Sequence, residues 1–168
     1  LSSTKPTRSG YTFLGWGTSA DDTSVNYNPG DTYKSNSSIT LYAIWKAETY
    51  KLTFDVNGGN ALELTSELEA LGYYLDGGKI TVDVTYNGKY PQFPKAEYPD
   101  GKMSFGGWSI DSNIIASGDT VNITEDTTLV AVWTNKHIVV FHGYYDDGTD
   151  SLTTYVEDGE TAVKPEDP

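Results

Sequence analysis

Apolar and polar positions alternate with a period of two in several short runs along this chain. Ile80, Val82, Val84 and Tyr86 fall on one side of such a run, with Thr81, Asp83 and Thr85 on the other. Leu52, Phe54 and Val56 alternate in the same way, as do Leu129, Ala131 and Trp133, and Ile39, Leu41, Ala43 and Trp45. A period of two places successive side chains on opposite faces of an extended chain, so each run predicts a strand with one face toward a core. In the last two runs Tyr42 with Ile44, and Val130 with Val132, load the second face as well, which predicts cover on both sides. Turn chemistry separates the runs, at Asn57-Gly58-Gly59, Asp76-Gly77-Gly78, Asn87-Gly88, Asp100-Gly101, Asp147-Gly148 and Asp158-Gly159. Pro91, Pro94 and Pro99 keep the Tyr90–Asp100 stretch out of a central ladder and predict an extended connection.

The runs repeat. Tyr11-Thr-Phe13-Leu-Gly15-Trp16, Gly30-Asp31-Thr32 and Leu41-Tyr-Ala43-Ile-Trp45 return in order as Met103-Ser-Phe105-Gly-Gly107-Trp108, Gly118-Asp119-Thr120 and Leu129-Val-Ala131-Val-Trp133. A second phrase, Tyr50-Lys-Leu52-Thr-Phe54, returns as His137-Ile-Val139-Val-Phe141, and Val84-Thr-Tyr86-Asn-Gly88 returns more loosely as Thr154-Tyr-Val156-Glu-Asp-Gly159. Self-similarity of this kind is the signature of tandem modules sharing one plan. The expected organisation is the C-terminal part of a first module at 1–46, a complete module at 47–134 and the N-terminal part of a third at 135–168, with both ends falling inside a repeat.

One stretch breaks the β rhythm. The middle module carries extra residues within Asn60–Gly78, where Leu64, Leu68 and Leu71 recur at helical spacing after a candidate capping pair, Asn60 with Glu63. The spacing predicts a short amphipathic helix over 61–72, laid across the sheet with its leucines inward.

These phrases together resemble the Listeria–Bacteroides repeat, also called the internalin B-repeat. Thr4-Lys-Pro6-Thr-Arg8-Ser-Gly10-Tyr11-Thr-Phe13-Leu-Gly15-Trp16 and Leu41-Tyr-Ala-Ile-Trp45 are similar to the second half of that repeat, and Leu52-Thr-Phe54-Asp-Val-Asn57-Gly58-Gly59 to its opening strand. The middle module departs from the pattern where Lys102 and Met103 stand in place of Gly10 and Tyr11. The resemblance implies tandem, mostly β, small β-grasp-like modules with a short inserted helix. It also implies an extracellular place on a bacterial cell surface, as spacer or stalk, with adhesion to a host protein or glycan as the alternative. The partners it implies are neighbouring repeats of the same chain.

Composition narrows the functional classes. A formal charge of −13 with only 11 Lys and Arg among 168 residues leaves no basic stripe for a nucleic-acid backbone. No apolar run approaches the length of a membrane span, so direct membrane insertion is not expected. Cysteine is absent, which is compatible with the cytosol and with a bacterial surface protein that folds without disulfides. His137 and His142 stand five apart on one strand, which puts them on opposite faces and argues against joint metal ligation. No nucleophile is aligned with either, so neither enzyme activity nor a cofactor is expected. The acidic turns Asp21-Asp22 and Asp146-Asp147-Gly148-Thr-Asp150 lack calcium-loop spacing and read as solvated loops.

Two sets of aromatics carry the remaining expectations. Trp16, Trp45, Trp108 and Trp133, with Phe13, Phe54, Phe105 and Phe141, hold fixed positions in the repeated strand pattern and are expected in the module cores. Tyr73-Tyr74 and Tyr144-Tyr145 are adjacent pairs beside Asp-Gly turns. Adjacent rings on an irregular segment do not share one buried face, which makes these four the candidates for partner contact.

Overall fold

The computed structural model describes residues 1–142 and 151–163. Its elements are β1 (Tyr11–Gly17), β2 (Tyr42–Ala47), β3 (Thr49–Asp55), α1 (Ser66–Ala70), β4 (Tyr73–Asp76), β5 (Lys79–Thr85), β6 (Met103–Ile110), β7 (Asn113–Ile115), β8 (Thr127–Asn135), β9 (His137–His142) and β10 (Ser151–Val156). Ten strands and one five-residue helix make the described residues mostly β. Strands β1 and β2 form a two-stranded sheet, β9 and β10 form another, and six strands form a sheet in the order β4-β5-β3-β8-β6-β7.

The chain divides into two compact units: Leu1–Leu52 with Val82–Gln92 and Ser117–Thr127, and Thr53–Thr81 with Phe93–Ala116 and Thr128–Pro168. In the first, β1 and β2 pair antiparallel, Phe13 opposite Trp45 and Trp16 opposite Ala43, with a bulge between Phe13 and Gly15. The Glu48 amide closes this pair on the Gly10 carbonyl at 2.9 Å. Tyr11 stacks edge-on to Tyr86, ring centroids 5.4 Å apart. The prolines keep the Tyr90–Asp100 connection out of strand pairing, as their missing N–H requires. Tyr90 is nevertheless tied down, its amide donating to the Asp119 carbonyl at 2.9 Å.

In the second unit β6 and β8 repeat the first pairing. Phe105 lies opposite Trp133, Trp108 opposite Ala131, and the bulge falls between Phe105 and Gly107. The Lys136 amide donates to the Lys102 carbonyl at 2.9 Å, the counterpart of the Glu48 to Gly10 bond. Replacement of the Gly10–Tyr11 pair by Lys102–Met103 therefore leaves this closure intact, because a backbone bond needs no particular side chain. The short β7 pairs Ile115 with Trp108, as Tyr27 bridges Trp16 in the first copy. The bulge glycine has a conformational reason: Gly107 sits at φ +122°, and a Cβ at Gly15 would overlap the Val25 side chain.

The core follows the alternation. Leu52, Phe54, Ile80, Val82, Val84, Trp108, Leu129 and Ala131 are buried. Thr81 departs from the expected polar face: it is fully buried, its hydroxyl 3.4 Å from that of Thr53.

The inserted helix differs from the sequence expectation. It spans Ser66–Ala70 rather than 61–72, and its N-cap is Thr65, whose hydroxyl accepts from the Leu68 amide at 3.3 Å. Asn60 does not cap it, because the helix begins only after Thr65; the Asn60 amide instead donates to the Glu97 carbonyl at 2.8 Å. No residue of α1 is buried, and Leu71 just beyond it is 46% exposed. Helical spacing of the leucines was a true local signal, but one turn and a half buries no full stripe.

Candidate functional site

The most distinctive local structure is an aromatic triad built twice. In the first copy Phe13 stands edge-on to both Trp16 and Trp45, with centroid distances of 5.0 and 5.4 Å and interplanar angles of 66° and 67°. In the second Phe105 stands edge-on to Trp108 and Trp133 at 5.3 and 5.6 Å, with angles of 67° and 61°. The strand register explains the repetition. Phe13 faces Trp45 directly across the ladder, and the bulge residue that follows lets Trp16 come to the same side. Edge-to-face contact is the arrangement the ring quadrupoles favour, worth about 0.5–1.5 kcal/mol per pair beyond burial.

The second triad is the better enclosed. Trp108 is 2% exposed and donates its indole N–H to the Pro94 carbonyl at 2.7 Å. Phe54 stands edge-on to it at 4.8 Å and also meets Phe93 at 5.6 Å. Trp133 remains partly exposed, yet its N–H reaches the carbonyls of Val56 and Asn57 at 3.0 and 3.1 Å, and Tyr98 covers it edge-on at 5.3 Å. A Cβ at Gly59 would overlap the Trp133 ring, so the Asn57-Gly58-Gly59 turn is shaped around this indole. Trp16, Trp45, Phe13 and Phe105 are each partly exposed, and so is Phe141 in β9.

The tyrosine pairs separate. Tyr73 opens β4 and is 3% exposed, with its ring 5.7 Å from that of Phe54. Burial pushes its phenol pKa well above the usual tyrosine range. It is a core residue and not a surface contact, which corrects the sequence expectation. The segment is a strand rather than irregular, so adjacent residues point to opposite faces and one ring enters the core. Tyr74 is the partly exposed member, and Leu71 and Leu75 nearby in sequence are 46% and 55% exposed. Tyr144 and Tyr145 lie outside the described residues.

Little else in the described residues offers chemistry. No group of three or more His, Asp or Glu side chains among them is placed to hold a metal. Asp22, a candidate for a solvated acidic turn, accepts the amides of Thr18 and Ser19 at 2.6 and 2.8 Å. Those bonds, the one from Ser19 first, hold its pKa below the usual carboxylate value. It is thus a turn cap. Asp146, Asp147 and Asp150 fall outside the described residues. His137 lies 3.6 Å from Asp158, with both side chains exposed. A cavity of about 210 Å³ is lined by Lys95, Tyr98, Phe105, Trp133, Lys136 and Glu157 among others, and an open one of about 460 Å³ by Lys5, Arg8, Tyr11 and Phe13 among others. No helix among the described residues is long and apolar enough to cross a membrane.

Comparison with known proteins agrees with this picture. A protein of Evansella cellulosilytica described as a Gly-rich membrane protein is 30% identical over 165 residues, covering 96% of this chain. A second protein of that organism, described as a membrane protein, is 35% identical over 79 residues, covering 46% of this chain. The chain spans only 17% and 12% of the lengths of these two relatives. No solved structure matches it. The model of the Listeria-Bacteroides repeat domain matches residues 1–44 and 50–132, a non-catalytic structural repeat. Those segments contain Phe13 and Trp16 of the first aromatic triad and Phe105 and Trp108 of the second, and the chain belongs to the Listeria-Bacteroides repeat family.

Proposed function

We propose that this chain is a spacer or stalk segment of a bacterial cell-surface protein, made of successive β-grasp-like modules at 1–46, 47–134 and 135–168. The observation that carries this reading is the repeated triad, in which Phe13 with Trp16 and Trp45, and Phe105 with Trp108 and Trp133, use the same register and the same bulge. The repeated aromatics are committed to holding strands together, which suits a module whose task is to keep its shape and pass the chain on. Family membership and the two Evansella relatives named as membrane proteins support an extracellular place in a larger, surface-bound protein.

A second reading, adhesion to a host protein or glycan, is favoured by the insertion that the third module lacks. There Leu71 and Leu75 are exposed and Tyr74 is partly exposed, and exposed apolar side chains offer places for contact. Immobilised full-length chain, tested against extracellular-matrix proteins and a glycan array, separates the readings. A spacer gives no saturable binding. Saturable binding abolished by Leu71→Ser with Leu75→Ser would overturn the spacer reading in favour of adhesion.

A further inference from the structure

Side chains from the proposed modules 1–46 and 47–134 meet at Tyr86, the residue that follows β5. Gly10 is buried at φ +72°, and a Cβ there would overlap the Tyr86 ring. Glycine at this position therefore serves a close approach as well as a turn. Tyr11 meets the same ring edge-on, centroids 5.4 Å apart, and the Arg8 guanidinium lies over the Tyr11 ring at 3.9 Å. Glu48, at the boundary, bonds to both sides. Its amide donates to the Gly10 carbonyl and its own carbonyl accepts the Tyr86 amide, each at 2.9 Å, while its carboxylate accepts from the Thr12 hydroxyl. All these residues belong to one compact unit.

The boundary between 47–134 and 135–168 uses the same positions with different chemistry. Lys136 repeats Glu48, its amide donating to the Lys102 carbonyl at 2.9 Å. Val156 pairs with His137, which brings the next residue, Glu157, beside Lys136 as Tyr86 stands beside Glu48. Lys102 thus takes the place of Gly10, Met103 that of Tyr11, and Glu157 that of Tyr86. The Lys136 ammonium lies 4.0 Å from the Glu157 carboxylate, the two side chains 23% and 57% exposed, and the Lys102 ammonium is 5.9 Å from the Tyr155 ring. Exposed ion pairs of this kind hold weakly and are screened by salt. A tyrosine ring seated on a glycine backbone has no charge to screen.

We propose that Tyr86, seated on Gly10 and against Tyr11, locks the first two modules in one orientation, while the Lys136–Glu157 boundary is a looser, salt-sensitive joint. The Gly10-Tyr11 pair is then a coupling element for the module that follows it. Its replacement by Lys102-Met103 changes the stiffness of the chain at the next boundary. Stiffness is thereby set joint by joint, by the residues at three positions, with the strand plan unchanged. The inference rests on the module division proposed above and involves no ligand.

Because the chain has no cysteine, introduced cysteine pairs can carry spin labels without background. Tyr42→Cys with Glu125→Cys spans the first boundary and Val130→Cys with Thr153→Cys the second, all four at exposed positions. Pulsed dipolar distance measurement on the full chain is expected to give a narrow distribution across the first boundary. That width should be the same at about 0.01 M and about 1 M salt, between which the screening length falls from roughly 30 Å to 3 Å. Across the second boundary the distribution is expected to be broader and to widen further at high salt. Tyr86→Ala, and separately Tyr11→Met, should at least double the first width and leave the second unchanged. Methionine is the residue that the next module carries at that position, so Tyr11→Met decides the matter if Tyr86→Ala loses its near-ultraviolet tryptophan signal. A broad first distribution in the wild type, a first width unmoved by the tyrosine variants, or the same salt response at both boundaries overturns the proposal. Failure of the spacer reading shows instead as saturable binding to a partner, which these widths do not report.

Discussion

The indole N–H of Trp133, near the end of β8, donates to the carbonyl of Val56, the first residue after β3, across 3.0 Å. It also reaches Asn57, at 3.1 Å, so one side chain closes the turn that follows the opening strand of the module. Trp133 thereby contributes both aromatic area and a hydrogen bond to backbone groups that would otherwise need water.

Replacing Trp133 with Ala is expected to cost about 3 kcal/mol, the low end of the large-aromatic range because the ring is partly exposed. Trp133→Phe keeps much of the area and loses the N–H, and is expected to cost about 1–2 kcal/mol. Urea unfolding of both variants measures the order. A negligible loss from Trp133→Phe would mean that the hydrogen bond to Val56 contributes nothing, and equal losses that the ring area kept by Phe contributes nothing.

Tyr73 and Tyr74 should respond very differently despite being neighbours. Tyr73→Ala is expected to lose about 3–5 kcal/mol, the penalty for emptying a core aromatic site. Tyr74→Ala and the pair Leu71→Ser with Leu75→Ser should each stay within about 1 kcal/mol, as surface changes do. Denaturation midpoints check this, and a large loss from the leucine pair would place that surface in a core.

Alkaline stability should track Tyr73. Its folded pKa is raised above the ordinary 10.0 by burial, so the unfolded chain ionises first and folding stability falls as the pH climbs past that value. Below pH 10 the group makes no difference between the states. Tyr73→Phe should retain stability above pH 10 that the wild type loses, read by urea midpoints across that range.

Acid should act through Asp22 and Asp55. The Ser19 and Thr18 amides lower the pKa of Asp22, and the Asn57 amide with Lys79 lowers that of Asp55, both below the ordinary 3.8. Their contribution is present above the unfolded carboxylate pKa and is lost as the pH falls below about 4 through the lower folded values. Asp22→Asn and Asp55→Asn should flatten the decline in stability over that acidic range, and an unchanged slope would show that neither turn matters to acid unfolding.

The bulge should tolerate no side chain. Gly107→Ala forces a Cβ into φ +122° and within 3.3 Å of Ile114, and is expected to cost about 1–3 kcal/mol. Gly118→Ala, at φ +83° with nothing within 4 Å, meets only the conformational part and should cost less. Comparing the two unfolding midpoints separates strain from crowding.

The repeat, the strands and the turn positions were legible in the sequence because they rest on local rules. Period-two alternation fixes which residues can share a face, and Asn-Gly and Asp-Gly mark where the chain turns. The equivalence of Trp16 with Trp108, and of Trp45 with Trp133, could be read from spacing alone and reappears as matching register. Four features could not be read that way. Tyr73 entered the core because its segment joined the sheet as an edge strand, which turned two adjacent rings to opposite faces. The helix shortened to Ser66–Ala70, starting where the Thr65 hydroxyl accepts from the Leu68 amide rather than at Asn60. Thr81 became buried because Thr53 came to lie opposite it. The partial exposure of Val139, Phe141, Leu41 and Trp16 is set by which strands lie beside them. Sequence fixes what each strand can present to a neighbour, through short-range sterics and side-chain alternation. Which neighbour arrives, and so which face is finally dry, is decided by contacts between residues tens of positions apart, where free energy comes from area removed from water and leaves no local mark in the chain.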